Sequence, residues 1–420
     1  MQELFPGKDP PWKGTVPALS LLVIIMLAQP VAAQDAPSCA DQPASAASTR
    51  PSGNRPILFD EFIRPLAETA AAQRAQRAEQ DPRYAHRVDQ ALNARRLNVA
   101  LLGYGEEHEQ TYADVGVSVT IVSFNLDTWD MASISLSRDI RSPELEDQSA
   151  REPPRWPVTL RAGYKSLGFG GMREILEDAT GLAIDFQLVM KDVFLRNYLN
   201  DVGGPVELIV PKDFHTNVYR LDGTDHAEDF ILAGRQTLST DRAMTFVLGE
   251  EVDPQLKVDE RSYRKDLLLK TLSCQARQRL AAKDAGFALN LVRFAVGELQ
   301  NQDLSVDFDF KLITGGLGNL ARTFVGSGGD VDASFPQLSG ARELVVHEAA
   351  FGDGGVRRVH QIAREPDQDG VADSPLVKEE IQMGSLAPYM LIPIGGNPYA
   401  ADLVSDYWGS VRQLVRVTLG

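Results

Sequence analysis

Strand-like and helix-like segments alternate between residues 97 and 210, and this alternation restricts the possible folds more than any other feature. Runs of apolar and β-branched residues predict strands at 97–103, 117–124, 131–137, 184–190 and 206–210. Apolar residues at helical spacing predict helices at 170–181 and 192–202. Strands interleaved with helices favour an α/β fold with a mixed central β-sheet flanked by helices.

The rest of the chain extends this organisation. Turn residues in NLDTWD, between the second and third strands, predict a hairpin-like strand pair. Further helices are predicted at 239–247, 260–283 and 287–299. We therefore expect residues 97–300 to form the main α/β domain and residues 301–420 to complete it.

The N-terminus has the pattern of an export signal. Lys8 and Lys13 precede an apolar run at 16–28, and the following PVAAQ has small residues suited to signal-peptide cleavage. Without cleavage, the same region has nearly the minimal length for crossing a bilayer. Residues 1–33 are thus a signal peptide or an N-terminal membrane anchor. Either alternative predicts an extracytoplasmic protein, secreted or held at the membrane.

Two segments separate this N-terminus from the first strand. Residues 34–58 are rich in Ala, Ser and Pro, which is typical of a flexible linker. Residues 59–96 are dense in Ala, Arg, Gln and Glu and predict two charged helices, broken near Asp81 and Pro82. Such a segment is a solvated spacer or, alternatively, an arm that binds a partner.

The charge balance excludes several partners. The formal net charge is −16, and the pI is about 4.9. Nucleic-acid binding depends on basic patches that neutralise phosphates, so an acidic chain predicts no nucleic-acid partner. The same balance disfavours broad adhesion to an anionic membrane. An anionic substrate would need a local group of arginines or a bound metal.

Common catalytic motifs are absent from the sequence. It contains no GxSxG, HExxH, GxxxxGK[ST] or strand-to-helix GxGxxG pattern, and its six histidines are scattered. The two cysteines, Cys39 and Cys274, lie outside any metal spacing, and whether they pair is left open. Serine or cysteine nucleophile chemistry therefore has no support.

The segment SISLSRDIRSPE, residues 133–144, combines a strand pattern with a charged end. Apolar and small polar residues alternate, and Arg138, Asp139 and Arg141 follow within four positions. This end is either a solvated turn or part of a site.

The order of segments from 97 to 280 resembles that of the LytR–CpsA–Psr family. The resemblance rests on LLG before an acidic loop, a strand pair closing on S-R-D, RAGYKSLGFGG before a helix, GLAIDFQLVM, DVGGPVELIVP, and the basic helix DERSYRKDLLLKTL. YMLIPIGG and DYWGSVRQLV extend it more weakly at the end of the chain. The family transfers glycopolymers from polyprenyl-pyrophosphate carriers to the bacterial cell wall.

The resemblance implies a particular mechanism. An apolar tunnel would hold the prenyl chain, while arginines and Mg²⁺ at its mouth would bind the pyrophosphate. A peptidoglycan hydroxyl would attack phosphorus, and polyprenyl phosphate would leave. Charge develops on phosphate oxygens in such a reaction, so positioning and electrostatic neutralisation carry the catalysis.

The resemblance also implies roles for single residues. Arg138 and Asp139 match the family's catalytic arginine–aspartate pair. The remaining implied phosphate ligands are Arg261, Arg264 and Lys165. Glu106, Asp114 and Asp259 lie one to three positions from the expected metal ligands and are taken as their substitutes.

Other positions depart from the family pattern. Gly105 stands where the first metal-binding aspartate is expected, and Leu248 and Glu250 replace two arginines. Losing two phosphate-binding arginines would weaken transition-state stabilisation, because charge-assisted hydrogen bonds are roughly twice as strong as neutral ones. Three hypotheses stay open: a divergent phosphotransferase, a noncatalytic envelope protein that binds a polyprenyl or other lipid, and an unrelated exported binding or scaffold domain.

Overall fold

The computed structural model describes residues 63–105, 115–128, 131–138, 140–142, 159–217, 228–249, most of 264–308, 342–348, 355–360, 389–393 and 407–419. The predicted signal peptide or anchor and the predicted linker lie outside these ranges. Within the described part of the chain, no helix combines the length and apolar character needed to cross a membrane.

Twelve strands are described. They are β1 (Arg96–Gly105), β2 (Val115–Asn125), β3 (Met131–Leu136), β4 (Phe186–Lys191), β5 (Val206–Val210), β6 (Phe214–Asn217), β7 (Glu228–Ile231), β8 (Gly234–Leu238), β9 (Leu304–Val306), β10 (Arg342–Glu348), β11 (Gly355–His360) and β12 (Tyr389–Pro393).

The helices lie between and around these strands. They are α1 (Arg64–Gln80), α2 (Tyr84–Arg87), α3 (Gln90–Asn93), α4 (Leu160–Thr180), α5 (Asp192–Tyr198), α6 (Thr240–Leu248), α7 (264–279, helical at each described position), α8 (Ala285–Gln300) and α9 (Gly409–Leu419). A single π-helical turn, Leu199–Gly203, continues α5.

Eight strands form one mixed sheet in the order β12-β11-β10-β3-β2-β1-β4-β9. β2 pairs antiparallel with both β1 and β3, which confirms the predicted hairpin-like pair. β4 runs parallel to β1, and β10 runs parallel to β3. The mixed central sheet flanked by helices is therefore confirmed, while the apolar tunnel stays a prediction.

The sheet carries a separate apolar layer on each face. Successive side chains of a strand point to opposite faces, and in β1 Leu97, Val99 and Leu101 enter one layer while Leu102 and Tyr104 enter the other. Helices α1, α5, α6, α7 and α8 cover the first layer. Helices α4 and α9 cover the second.

Helix α1 belongs to the folded domain, which contradicts its interpretation as a solvated spacer. Leu66 and Ala70 are buried in the first apolar layer. Arg74 reaches across to Asp185, with Nε and Nη2 donating to its two oxygens at 2.6 and 2.5 Å. The predicted break is present, because α1 ends at Gln80 and Asp81 adopts an extended backbone. Helix α1 contributes few apolar residues to the core, and Arg74 adds polar contacts that hold the helix to the domain.

Helix α4 begins about ten residues earlier than the sequence predicts. It starts at Leu160 and contains a kink at Gly168, whose φ of 64° and ψ of −163° are not helical. The glycines of LGFGG favour a turn before a new helix, but the structure has a helical stretch on each side of the kink. The helix ends as predicted, since Gly181 takes the left-handed conformation with φ of 74°.

Candidate functional site

Four strand ends meet at one edge of the central sheet. Gly105, at the end of β1, pairs with Val115, at the start of β2. Leu136, at the end of β3, pairs with Val119 of β2, and Lys191, at the end of β4, pairs with Tyr104. We call this border the site edge, defined by Gly105, Val115, Leu136 and Lys191.

Arg138 lies at the site edge, two residues after the end of β3. The turn that carries it is closed by the Ile140 amide, which donates to the carbonyl of Ser137 at 3.3 Å. Ile140 is fully buried in the second apolar layer. The Leu160 amide donates to the Ile140 carbonyl at 2.9 Å, which ties this turn to the start of α4. Packing thus fixes the backbone around Arg138, and its side chain is partly exposed.

The first half of α4 is also held at the site edge. The backbone amide of Tyr164 donates to the phenolic oxygen of Tyr104 at 3.0 Å. The two rings meet edge to face at 5.1 Å between centroids, and Phe169 adds a second such contact to Tyr164 at 5.0 Å. Lys165 is the next residue of α4, so its backbone lies at this edge with Arg138. The structure therefore brings these two predicted residues to the same edge.

The proposed metal ligands and several other predicted residues cannot be placed in the same way. Outside the described residues lie Glu106, Asp114, Asp139, Asp259 and Arg261. In the sequence, however, Glu106 directly follows Gly105, and Asp114 directly precedes Val115. Gly105 and Val115 are paired. In the described ranges, no group of three or more His, Cys, Asp or Glu residues could hold a metal ion. The magnesium site stays a prediction.

Arg264 occupies a buried structural position. It is 6% exposed, and its guanidinium lies 3.9 Å from the ring centroid of Phe214. Its Nε donates to the carbonyl of Phe246 at 2.6 Å, and its Nη2 donates to the carbonyl of Gly249 at 2.9 Å. A cation at the carboxyl end of α6 satisfies carbonyls that lack helical partners and is favoured by the helix dipole. Phosphate binding by Arg264 would compete with these bonds.

Leu248, which replaces an expected arginine, has a packing role. It lies at the last position of α6 and packs against the first apolar layer. The side chain at this position therefore contributes to the core rather than to a charged site. Glu250 lies outside the described residues.

Sequence reasoning missed a polar cluster formed by Arg173, Gln187 and Asp307. The backbone amide of Gln187 donates to Oδ1 of Asp307 at 2.7 Å, and the side-chain Nε2 of Gln187 donates to Oδ2 of Asp307 at 3.1 Å. Arg173 forms an ion pair with the same Oδ2. Gln187 Nε2 also donates to the carbonyl of Phe169 at 2.7 Å, directly after the kink in α4. The polar residues Asp185 and Gln187 within the predicted strand IDFQLVM were the sequence signal that could have indicated buried polar contacts.

This cluster shapes the electrostatics beside Tyr164. Burial raises the pKa of Asp307, and the neighbouring Arg173 opposes that shift. Burial, reinforced by the charge of Asp307, raises the pKa of Tyr164.

No family model matches this chain, and no curated protein matches it. Among solved structures, a Streptococcus agalactiae protein is 13% identical over 79% of this chain and 90% of its own, with a TM-score of 0.46. B. subtilis TagV is 14% identical over 77% of this chain and 97% of its own, with a TM-score of 0.45. TagT bound to LI-WTA is 12% identical over 78% of this chain and 91% of its own, with a TM-score of 0.41. The chain is similar to these proteins. Likeness at these values assigns it neither a family nor an activity.

Proposed function

We propose that this chain is a divergent extracytoplasmic phosphotransferase of the LytR–CpsA–Psr type. It binds a glycopolymer linked to polyprenyl pyrophosphate and moves the glycopolymer to the cell wall, with peptidoglycan as acceptor. The observation that carries the proposal is the meeting of four strand ends at one edge. The turn of Arg138, the start of α4 with Lys165, and the paired strand ends that flank Glu106 and Asp114 all belong to this edge.

The chemistry follows from the charges on these side chains. Arg138 would bind the pyrophosphate through its planar fork of donors, beside Asp139, because a guanidinium remains charged and contacts two phosphate oxygens at once. The acceptor hydroxyl attacks the sugar-linked phosphorus, and the bond to the bridging oxygen breaks. Polyprenyl phosphate leaves with the electron pair, and the hydroxyl proton passes to a base or to solvent. Arg261 and Lys165 would add positive charge, whereas Arg264 donates to the carbonyls of Phe246 and Gly249.

Magnesium would complete the proposed site. Glu106, Asp114 and Asp259 would supply carboxylate oxygens, which are the ligands that Mg²⁺ prefers. When bound, the ion would neutralise charge on the pyrophosphate oxygens. The prenyl chain would occupy an apolar tunnel.

A second candidate function is noncatalytic lipid binding in the same envelope location. It is favoured by Arg264, whose nitrogens donate to the carbonyls of Phe246 and Gly249 at the end of α6, and by Leu248, which packs against the first apolar layer. Both observations leave fewer cations for a pyrophosphate. In this alternative the protein holds a polyprenyl or other lipid without transferring its head group.

Turnover by the full-length protein tests the proposal. The protein is incubated in detergent micelles with a polyprenyl-pyrophosphate glycan, a peptidoglycan acceptor and Mg²⁺, and released polyprenyl phosphate is measured. We expect release that stops when Mg²⁺ is chelated. Arg138→Ala should lower the rate by about 100-fold or more, as for loss of one preorganised charge-stabilising donor.

The matched control is Arg95→Ala. Arg95 precedes β1 at the opposite edge, and its ion pair with Asp127 has both side chains exposed, at 75% and 48%. Its loss should leave the rate unchanged, because exposed ion pairs contribute little to stability. Lipid binding without release would support the second candidate instead. A protein that binds neither lipid nor pyrophosphate would contradict both functions.

A further inference from the structure

Cys274 is disulfide-bonded in the structure, and the described part of the chain contains no free cysteine. The sequence contains one other cysteine, Cys39, which lies outside the described residues. An intramolecular bond therefore has one available partner.

The burial of Cys274 indicates that another part of the chain covers the outer side of α7, which is the side opposite the first apolar layer. Leu268, Leu272 and Ala276, spaced four residues apart, form the stripe of α7 that enters the first apolar layer. Cys274 is two residues from Leu272 and from Ala276, a spacing that places it on the opposite face of an α-helix. It is nevertheless only 2% exposed. Gln278, one turn further along that face, is exposed.

We propose that Cys39 and Cys274 form an intramolecular disulfide that fixes the N-terminal segment to the outer face of α7. In its formation the two thiols lose two protons and two electrons. The electrons pass to an oxidised thiol–disulfide exchange protein, whose own disulfide is reduced to two thiols. Such bonds persist in exported proteins and are rare in the reducing cytosol. The inference does not depend on the proposed transferase activity.

The bond changes how the domain is tethered. From the end of the apolar run at residue 28, about 11 residues lead to Cys39 and span at most about 40 Å when extended. About 35 residues lead from the same point to Ile63, which is buried in the first apolar layer, and would span at most about 125 Å. Where the run remains as a membrane anchor, the disulfide therefore lowers the greatest possible separation between anchor and domain from about 125 Å to about 40 Å.

Thiol counting on the full-length protein tests the bond. The protein is purified without reductant, unfolded in guanidinium and treated with a thiol-reactive probe. We expect no labelled thiol per chain before reduction and two after it. A protease digest without reductant should contain one cross-linked species joining the peptides of Cys39 and Cys274, and reduction should separate them.

Variants provide the matched controls. Cys39→Ser and Cys274→Ser should each leave one labelled thiol without reduction, and the double variant should leave none. Because either change breaks the same bond, both single variants and the double variant should lower Tm by similar amounts. Two labelled thiols in the unreduced wild type would overturn the proposal. A covalent dimer on a nonreducing gel, or Tm shifts of the single variants that add in the double variant, would also overturn it.

Discussion

At the scale of single residues, the surroundings decide what a charged side chain does. Arg138 follows a strand end and is partly exposed at the site edge. Arg264, expected from the sequence to share that ligand, is buried against Phe214 and donates to two backbone carbonyls. Both are arginines at positions matching one family pattern. Sequence alone does not separate these roles, because the aromatic ring and the carbonyls come from distant segments.

Glu298 is a buried acid with a testable pH dependence. It is 4% exposed; its Oε1 accepts from Asn197 Nδ2 at 3.0 Å, while within the described residues its Oε2 has no hydrogen-bond partner. Burial, together with the charges of Asp303 and Asp201, raises the pKa of its carboxyl. The folded state therefore favours the protonated acid. The stability that Glu298 contributes is fully present below its unfolded pKa and is lost as pH rises through the folded value.

We predict that Glu298→Gln becomes progressively more stable than the wild type as pH rises from the acid range to neutrality. The neutral amide avoids the cost of ionising a buried group. The measurement is the free energy of unfolding in urea at several pH values. Glu207→Gln is the control, since its ion pair with Arg235 is about half exposed and should contribute less than about 1 kcal/mol. A constant difference between Glu298→Gln and the wild type across this range would contradict the prediction.

At the scale of elements, local pattern predicted β1 to β5 and several helix ends, but not β6 to β9. Strand β5 has the predicted bounds, and the end of α4 at Gly181 follows from a glycine cap. The first half of α4 was missed, because its three closely spaced glycines have low helix propensity. Tertiary contacts stabilise it instead. Tyr104 accepts from the Tyr164 amide, and Gln187 binds the Phe169 carbonyl beside the kink.

Two glycines of this region should respond oppositely to the same substitution. Gly168 has a backbone conformation that is essentially restricted to glycine, so Gly168→Ala should destabilise the protein by about 1–3 kcal/mol. Gly170 is helical and exposed, and an added Cβ would meet no atom within 4 Å. Gly170→Ala should therefore stabilise the protein by about 0.5–1 kcal/mol. Urea unfolding measures both, and equal effects of the two variants would exclude a kink at Gly168.

At the scale of the whole molecule, long-range pairing adds what local pattern could not supply. The mixed sheet was predicted, but the position of β10 beside β3 joins residues about 200 apart in the sequence. Helix α9 supplies Val411 and Val415 to the second apolar layer, and Arg412 donates to the Asp178 carbonyl of α4 at 2.7 Å. The two ends of the described chain therefore pack on opposite faces of one sheet.

The candidate site was predictable only in part. The spacing of strands indicated that Arg138 follows a strand end, and the antiparallel pairing of β1, β2 and β3 brings that end to the same border of the sheet as Gly105 and Val115. The cluster of Arg173, Gln187 and Asp307 was not predictable, since its residues are far apart in the sequence and their polar contacts form only in the folded chain. Such contacts depend on how α4, β4 and the residue after β9 are placed relative to one another.

The central claim is that the site edge binds pyrophosphate through Arg138. The most direct test is the Kd of the full-length protein for a polyprenyl pyrophosphate, compared among wild type, Arg138→Ala and Arg95→Ala. We predict that Arg138→Ala weakens binding by about 10-fold or more, as for loss of a charge-assisted hydrogen bond of about 1.5–3 kcal/mol. Arg95→Ala should retain the wild-type Kd. Equal Kd values for all three proteins would contradict a phosphate-binding role for this edge.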